Sequence, residues 1–427
     1  MLQWPAFYVV AVAFVITVPA LAQTTDSPPK SPPKSWVDPD TGHRIIRLTD
    51  EPGSASLYFN DNGYTSNGGE MIYTKPDGVG VIDLDTFKTR SVVEGKVRVI
   101  VAGKKTQSVY YIRDNALYST NVDNGATRRI ADVPPRGNIA SINADETLAA
   151  GTYLEGSASR DYNANRDQQA HPLDQPKNKG QMMVERLHSR LPIVLFTIDL
   201  KTGEKKELLH STDWINHLLF SPTDPGLLMY CHEGPWQEVD RIWTVRTDGT
   251  ENKLIHKRIM EMEIAGHEFW SHDGKTIWYD LQTPRGEDFW LAGYNIETGE
   301  RTWYHLQRNE WSIHFNASPD GSLFCGDGGD PGQVAHAPDG EWLYLFHPQL
   351  IKNTGMTSKE FIHPGVLHPE RLVKMSKHNY RLEPNVSFTP DRKWIVFRSN
   401  MFGPSYAFAV EVAKSAESAT SSTATLK

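Results

Sequence analysis

Apolar positions in this chain come in short bursts, each closed by a polar turn. Runs such as Thr276-Ile277-Trp278-Tyr279 and Trp394-Ile395-Val396-Phe397 are β-branched and aromatic, the types that pack best on a pleated, half-buried surface. Two kinds of turn recur between them. The first is built on Pro, Asp and Gly, as in Lys75-Pro76-Asp77-Gly78, Ser221-Pro222-Thr223-Asp224, Ser271-His272-Asp273-Gly274, Ser318-Pro319-Asp320-Gly321 and Thr389-Pro390-Asp391-Arg392. The second is acidic or ends in Thr-Gly, as in Asp85-Thr86, Asp123-Asn124-Gly125, Asp199-Leu200-Lys201-Thr202-Gly203, Thr247-Asp248-Gly249 and Asn295-Ile296-Glu297-Thr298-Gly299. Proline presets φ for a turn, and Asp-Gly tolerates the positive φ of a tight hairpin. Long amphipathic helical periodicity is nearly absent, and residues 184–190 suit one or two helical turns at most. The pattern predicts an all-β chain.

The unit repeats every 40–50 residues or so, the period of a four-stranded propeller blade. Segments 54–95, 96–138, 139–212, 213–260, 261–308, 309–375 and 376–413 each hold one unit. This predicts a seven-bladed β-propeller over residues 41–413. The strand Arg44-Ile45-Ile46-Arg47-Leu48 would complete the last blade and close the ring. Residues 154–190, polar and rich in Asn, Asp, Gln and Arg, and residues 347–378, rich in His and Pro, read as insertions. Long insertions in a compact fold are functional loops or disordered stretches, and these two could wall one mouth of the channel.

The ends differ from the middle. Residues 7–20 are apolar and uncharged, too short for a span that needs about 20 residues. Ala20-Leu21-Ala22 follows as a cleavage pattern. Residues 1–22 therefore read as a signal peptide, with an uncleaved anchor as the alternative, 23–40 as a Pro-rich linker, and 414–427 as a disordered tail. No later segment is long and apolar enough to span a membrane once the leader is cleaved. The reading is an exported protein, periplasmic if the source is a Gram-negative bacterium.

Composition narrows the function. The 427 residues carry 44 Lys+Arg against 52 Asp+Glu, a formal net charge of -8. A nucleic-acid binder needs the opposite balance to displace counterions. Aromatics at 10% are too many for a disordered chain, and two Cys cannot staple a disulfide scaffold. Cys231 and Cys325 read as buried free thiols, with a disulfide as the alternative.

Candidate chemistry falls in four clusters: Cys231-His232-Glu233-Gly234-Pro235-Trp236 with Asp240-Arg241-Ile242-Trp243; Gly266-His267-Glu268-Phe269-Trp270; Trp311-Ser312-Ile313-His314-Phe315-Asn316 with Gly326-Asp327-Gly328-Gly329-Asp330; and Leu382-Glu383-Pro384-Asn385-Val386-Ser387-Phe388. In a propeller these fall at or near innermost strands, where His and carboxylates converge on an axial cavity able to bind a metal or move protons. His-Glu-Phe-Trp-Ser lacks the second His of a zincin. There is no G-x-S-x-G elbow, Walker loop or dinucleotide fingerprint. The Gly326–Asp330 stretch reads as a Gly-rich turn with solvated Asp, a calcium loop being the alternative.

Taken together, the clusters resemble the oligogalacturonate lyase family of β-propeller enzymes that degrade pectin. His-Glu-Gly-Pro at 232–235 and His-Glu-Phe-Trp at 267–270, in that order, carry the resemblance most specifically, with Arg241-Ile242-Trp243 and Ser387-Phe388-Thr389-Pro390-Asp391. The resemblance implies cleavage of short α-1,4-linked galacturonates by β-elimination. A base removes the proton α to the uronate carboxylate, and a cation or metal holds the developing charge. It implies that His267 is the base and Arg241 a fork for the substrate carboxylate, with His232 and Trp270 in the substrate cavity. It also implies manganese, bound through a His matching His314, a Gln, and two His of a His-Pro-His-Pro-Ser-Phe-Thr-Pro stretch. Here that stretch reads Glu383-Pro384-Asn385-Val386, and Tyr380 stands at the Gln position. His314, Glu383 and Asn385 are then the expected ligands, with His378 nearby. Such a set could hold a hard divalent ion, Mn²⁺ first, with Mg²⁺ and Ca²⁺ as alternatives. The acidic partner must be met by local Arg241, Arg160, Arg166 or Arg186 against the global field. The alternative from another class is a non-catalytic periplasmic propeller of the TolB type that binds a sugar or a protein.

Overall fold

The structure is a computed structural model that describes residues 32–156, 179–334 and 336–415. The expected leader, Arg160, Arg166 and the tail past residue 415 lie outside those residues. The described chain is all-β but for a helix at Lys179–His188 and a 3₁₀ turn at Arg308–Glu310. The strands form six sheets. Sheets 98–132, 137–211 and 214–254 are each four antiparallel strands taken in chain order, and the sheet over 70–94 has three. A sheet of eight joins two antiparallel halves, 264–306 and 315–374.

The repeated turns are the same hydrogen-bonded units each time. In three successive repeats a hydroxyl donates to the Asp two residues on: Ser271 to Asp273, Ser318 to Asp320 and Thr389 to Asp391, at 2.6, 2.7 and 2.6 Å. The same hydroxyl oxygen accepts the N–H that opens the next strand, from Thr276, Leu323 and Trp394. At the second turn type, Asp199 and Asn295 each accept two backbone N–H groups from the residues two and three ahead. Gly203 and Gly299 then take positive φ. These side chains satisfy backbone donors that the hairpin leaves unpaired.

Edge strands of five of the six sheets, both edges in the sheet of eight, converge on a common cavity, as in a β-propeller. Residues 101–104, 141–143, 219–222, 269–272, 316 and 387–388, from the edge strands or just past them, line one cavity together. Hydrophobic cores lie between neighbouring sheets. One joins Ala150, Ile193 and Leu195 to Trp214, Phe220 and Leu228, and fully burying each large apolar side chain is worth about 1.5–3 kcal/mol.

The strand His43–Arg47 pairs with Tyr406–Lys414, so the two ends of the fold share one sheet. Ser35–Val37 adds a further strand outside it, within the stretch expected to be a linker. The 347–378 insertion does not wall the mouth. It extends a long hairpin, Trp342–Leu350 with Ile362–Lys374, whose second strand pairs in parallel with the outer strand Arg301–Leu306 of the neighbouring half-sheet. The other insertion ends in the helix Lys179–His188, which does reach the cavity described next.

Candidate functional site

A second cavity, of about 240 Å³, lies at the other end of the axis and shares Phe59 and Asn60 with the first. Its wall includes His217, Glu233, Trp236, Arg241, His267, Glu268 and Glu383, with Tyr58 and Trp214. The helix adds Lys179, Met182 and Met183.

Backbone irregularity aims the imidazoles. The strand Trp214–Phe220 slips register between Asn216 and Leu219, and Ile264–Trp270 slips between Gly266 and Phe269. Within these bulges His217 and His267 adopt left-handed backbone, φ 47° and 46°. A bulge re-aims a side chain, and its strain recurs at functional sites. Gly266 has its own reason: a Cβ there would lie 2.9 Å from the Trp236 ring and 3.1 Å from Asp280 Oδ1.

Arg241 is the electrostatic centre. Its side chain is 3% exposed. Nη1 donates to Glu233 at 2.7 Å and Nε to Glu268 at 3.0 Å. Its guanidinium lies over the Trp236 ring, 5.1 Å from the centroid. Nη2 has no partner among the described residues. Burial alone would raise both carboxyls, but Arg241 and His217 outweigh it and hold Glu233 and Glu268 below the usual carboxylate range. Folded values below the unfolded one mean stability that is present above about pH 4.3 and lost as pH falls through the folded values. A thermal-melting series should therefore show Tm falling with acidification from that pH downward. The fall should be shallower in Glu268→Gln, and an identical slope would count against this coupling.

His217 Nε2 lies 3.0 Å from Glu233 Oε2. Burial, opposed by Glu233, leaves the imidazole below its ordinary pKa. His267 Nδ1 lies 3.3 Å from Asp280 Oδ1. There burial is outweighed by Asp280 and Glu383, and the pKa is raised. Its ring meets Trp236 edge-on at 5.1 Å and His314 at 4.8 Å. Buried polar atoms without a hydrogen-bond partner gather here: His267 Nδ1, Glu268 Oε1, Asp280 Oδ1 and Trp236 Nε1. Such groups are rare in native structures and mark places where a ligand or water completes the network.

His314 is fully buried. Nδ1 donates to Asp327 Oδ2 at 2.8 Å, Nε2 meets the Tyr58 hydroxyl at 3.1 Å, and Glu383 Oε2 lies 3.8 Å from Nε2. Asp327, expected to be a solvated turn residue, is buried and also accepts the Asn385 N–H.

The expected site residues thus divide. Arg241, His267 and Glu383 line the cavity, and His314 adjoins it. Asn385 turns inward, its Oδ1 accepting the Phe59 N–H and its Nδ2 donating to the Glu383 carbonyl. Both ring nitrogens of His378 are engaged, with Ser399 and the Leu382 carbonyl. The Tyr380 hydroxyl donates to the Asp327 carbonyl. His232 is not brought to the cavity. It stacks on Trp243 at 4.9 Å, on the opposite face of its strand from Glu233. Trp270 lines the other cavity and donates to the Leu219 carbonyl. Arg186 is buried over Trp214. Cys231 and Cys325 are buried free thiols. His217, Glu233, Trp236, Asp280, Asp327 and Lys179 were not singled out as site residues from the sequence. Of these, Trp236 and Glu233 carried a signal inside His-Glu-Gly-Pro-Trp, and Asp327 one inside the Gly-rich stretch at 326–330, where it was read as a solvated turn residue.

The donor set can be tested against a divalent metal. His314 Nε2 and the Glu383 carboxylate face each other at a separation one ion can span, and the Asp327 bond fixes the His314 tautomer as metal-binding imidazoles require. Asn385 Oδ1 is turned to the Phe59 N–H, and the residue is not part of the cavity wall. A three-donor group, His217, Cys231 and Glu233, also exists, but Arg241 already neutralises its carboxylate. The residues fit a hard ion held by His314 and Glu383, with water filling the rest.

Comparison with known proteins bears on this site. The profile of the oligogalacturonate lyase family matches residues 33–416. An oligogalacturonide lyase of Pectobacterium atrosepticum is 30% identical over 219 residues, 51% of this chain and 55% of that protein. An oligogalacturonate lyase of Dickeya dadantii is 24% identical over 385 residues, 88% of this chain and 95% of that one. Among solved structures, an oligogalacturonate lyase in complex with manganese superposes with TM-score 0.70 at 23% identity, covering 89% of this chain and 96% of that one. An oligogalacturonate lyase from Vibrio parahaemolyticus gives TM-score 0.71 at 23% identity with the same coverage.

Proposed function

This chain belongs to the oligogalacturonate lyase family, and from that premise we propose that it cleaves short uronic-acid oligosaccharides, pectin fragments first, by β-elimination. The observation that carries the reading is the convergence of Arg241, His267 and Glu383 on one cavity beside His314. A module that only binds has no need of such a set, so the non-catalytic alternative is not favoured.

The reaction asks three things of the cavity: binding the uronate carboxylate, moving protons at C5 and O4, and excluding water. Arg241 faces two carboxylates with one charge, so Nη2 serves as a directed donor more than as a net cation. Lys179, exposed on the helix and without an ion pair among the described residues, supplies the positive charge that an acidic protein otherwise lacks here. Trp236, Trp214 and Met182–Met183 give apolar surface for sugar faces. His267 stands in proton transfer at the scissile unit.

His314 and Glu383 would hold the divalent ion, Mn²⁺ first. When bound it would supply Lewis-acid neutralisation of the uronate carboxylate. With two protein donors in place of four, binding should be weak. Calorimetric titration with Mn²⁺ should show a single weak site that His314→Ala abolishes, and undiminished binding in that variant would overturn the ligand assignment.

We further propose seven blades, counting five separate sheets and the two halves of the sheet of eight. The expected leader supports export to the periplasm or its equivalent.

The test is direct. Purified protein is incubated with digalacturonate and other uronides, with and without EDTA, and ultraviolet absorbance of the unsaturated product is followed. Silence on every uronide in the presence of added Mn²⁺ or Ca²⁺ would overturn the lyase reading.

A further inference from the structure

We propose that Lys179, on the helix Lys179–His188, binds the carboxylate of the sugar that departs across the scissile bond, and so makes the chain selective for a uronate on both sides of that bond. The inference deepens the lyase reading and rests on it.

The first ground is placement. The helix is an appendage to its sheet, because it lies in the connection between two strands that pair directly, Leu148–Leu154 and Ile193–Asp199. Lys179, Met182, Met183, Arg186 and Leu187 recur at the three- and four-residue spacing of one helical face. Exposure falls along that face. Lys179 is exposed, the two Met are half-buried, and Arg186 and Leu187 are buried. The buried end is tied down. Arg186 lies over Trp214, 5.5 Å from the ring centroid, and a Cβ on Gly234 would lie 3.1 Å from Leu187. Gly234 stands between Glu233 and Trp236 of the cavity wall. Met182 and Met183 pack against the core that holds Trp214. One turn further back, Lys179 joins the wall.

Charge supplies the second ground. Among the described residues that line the cavity, Arg241 and Lys179 are the permanent cations, set against the carboxylates of Glu233, Glu268 and Glu383. Arg241 is committed to Glu233 and Glu268. Glu383 has His314 Nε2 at 3.8 Å. Lys179 has no ion pair among the described residues. A substrate with a uronate on each side of the scissile bond brings two carboxylates. Arg241 Nη2 is placed for the reacting one, and the second finds a cation only in Lys179.

The residue type suits that task. An ammonium on a flexible four-carbon stem is a hydrated point charge without a fixed fork. It can follow a carboxylate on a sugar that must leave, whereas a buried guanidinium fixes one geometry. Its contribution is uniform binding, equal in the ground state and the transition state, and belongs in KM.

The experiment compares two substrates. One is digalacturonate. The other is the same disaccharide methyl-esterified only on its non-reducing unit, which departs when the C4–O4 bond of the reducing unit breaks. Wild-type kcat/KM should favour digalacturonate by about tenfold, the order that a charge-assisted hydrogen bond contributes. In Lys179→Gln the preference should shrink to below about twofold, with the loss carried by the KM for digalacturonate. Lys179→Arg should retain it, since charge is what the site requires. Added NaCl should raise the KM for digalacturonate more steeply in the wild type than in Lys179→Gln. Lys179 is exposed, so none of these variants threatens the fold. A wild type without the preference overturns the assignment, and so does Lys179→Gln that keeps it. Equal losses on both substrates also overturn it, because Lys179 would then serve the reacting unit. A wild type silent on every uronide would instead overturn the lyase reading. Calorimetric titration of the two disaccharides into wild type and Lys179→Gln then decides the Lys179 assignment alone, and affinities that do not differ overturn it.

Discussion

Replacing Arg241 with Ala is expected to abolish lyase activity and to destabilise the fold by about 3–5 kcal/mol, the cost of breaking a buried ion pair by removing one partner. The magnitude follows from what stays behind. Glu233 and Glu268 are 6% and 2% exposed, and both depend on one guanidinium. Without it, two buried carboxylates lose the cation they share. They must take up protons or open the local structure, and either response consumes stability. Trp236 also loses the cation packed on its face, a smaller loss of order 1 kcal/mol. Arg241→Lys should not rescue function, since an ammonium cannot reach Glu233 and Glu268 as a fork while presenting a third donor. Urea denaturation of the purified variants provides the measurement. The triple variant Arg241→Met, Glu233→Gln, Glu268→Gln is the control. It removes all three charges, so it should recover most of the stability and none of the activity. A loss below about 1 kcal/mol in Arg241→Ala would mean that the carboxylates are rehydrated and that the ion network is not structural.

The cavity also shows what could be read in the chain beforehand. Arg241, His267 and His314 were legible because they sit in distinctive local strings and because repeat spacing puts them on successive blades. The turns were legible too: Ser271, Ser318 and Thr389 stand at one place in three repeats and make one hydrogen-bond pattern. Parity along a strand was not legible. His232 and Glu233 are adjacent, so only one of them can face the cavity, and side-chain alternation gives that place to Glu233. Trp270 failed for a related reason. The bulge between Gly266 and Phe269 changes the phase of the strand, and no rule of composition predicts a bulge. His217 was hidden in the same way, since Trp-Ile-Asn-His-Leu reads as an ordinary strand until the register slip turns its imidazole to the axis. Asp327 was hidden by its glycines, which suggested solvent exposure, whereas its burial serves His314. The metal remains the least legible feature, because Glu383 and Asn385 look like equivalent replacements in sequence, and only the structure shows that Glu383 lines the cavity while Asn385 turns to the Phe59 N–H.

His267→Asn should separate catalysis from folding more sharply than any other substitution in the site. The wild-type backbone at this position is left-handed, φ 46°, a conformation in which Asn is several-fold enriched over most residues. The amide can also donate to Asp280 Oδ1, the acceptor now 3.3 Å from His267 Nδ1. Stability should therefore hold to within about 1 kcal/mol, as the strain falls while the ring contacts with Trp236 and His314 are lost. Activity should not hold. An amide neither takes up nor gives away a proton near neutrality, and a positioned acid or base contributes about 10²–10⁴-fold. Ala would be a poorer test, because it keeps the backbone strain, removes the cation that faces Asp280 at 3.3 Å, and so mixes stability with chemistry. The measurement is kcat on digalacturonate beside a melting curve on the same preparation. A variant that melts like wild type and has lost at least a hundredfold in kcat places His267 at the reacting sugar. One that melts like wild type and turns over within threefold of it would remove His267 from the chemistry and leave proton transfer to groups elsewhere in the cavity.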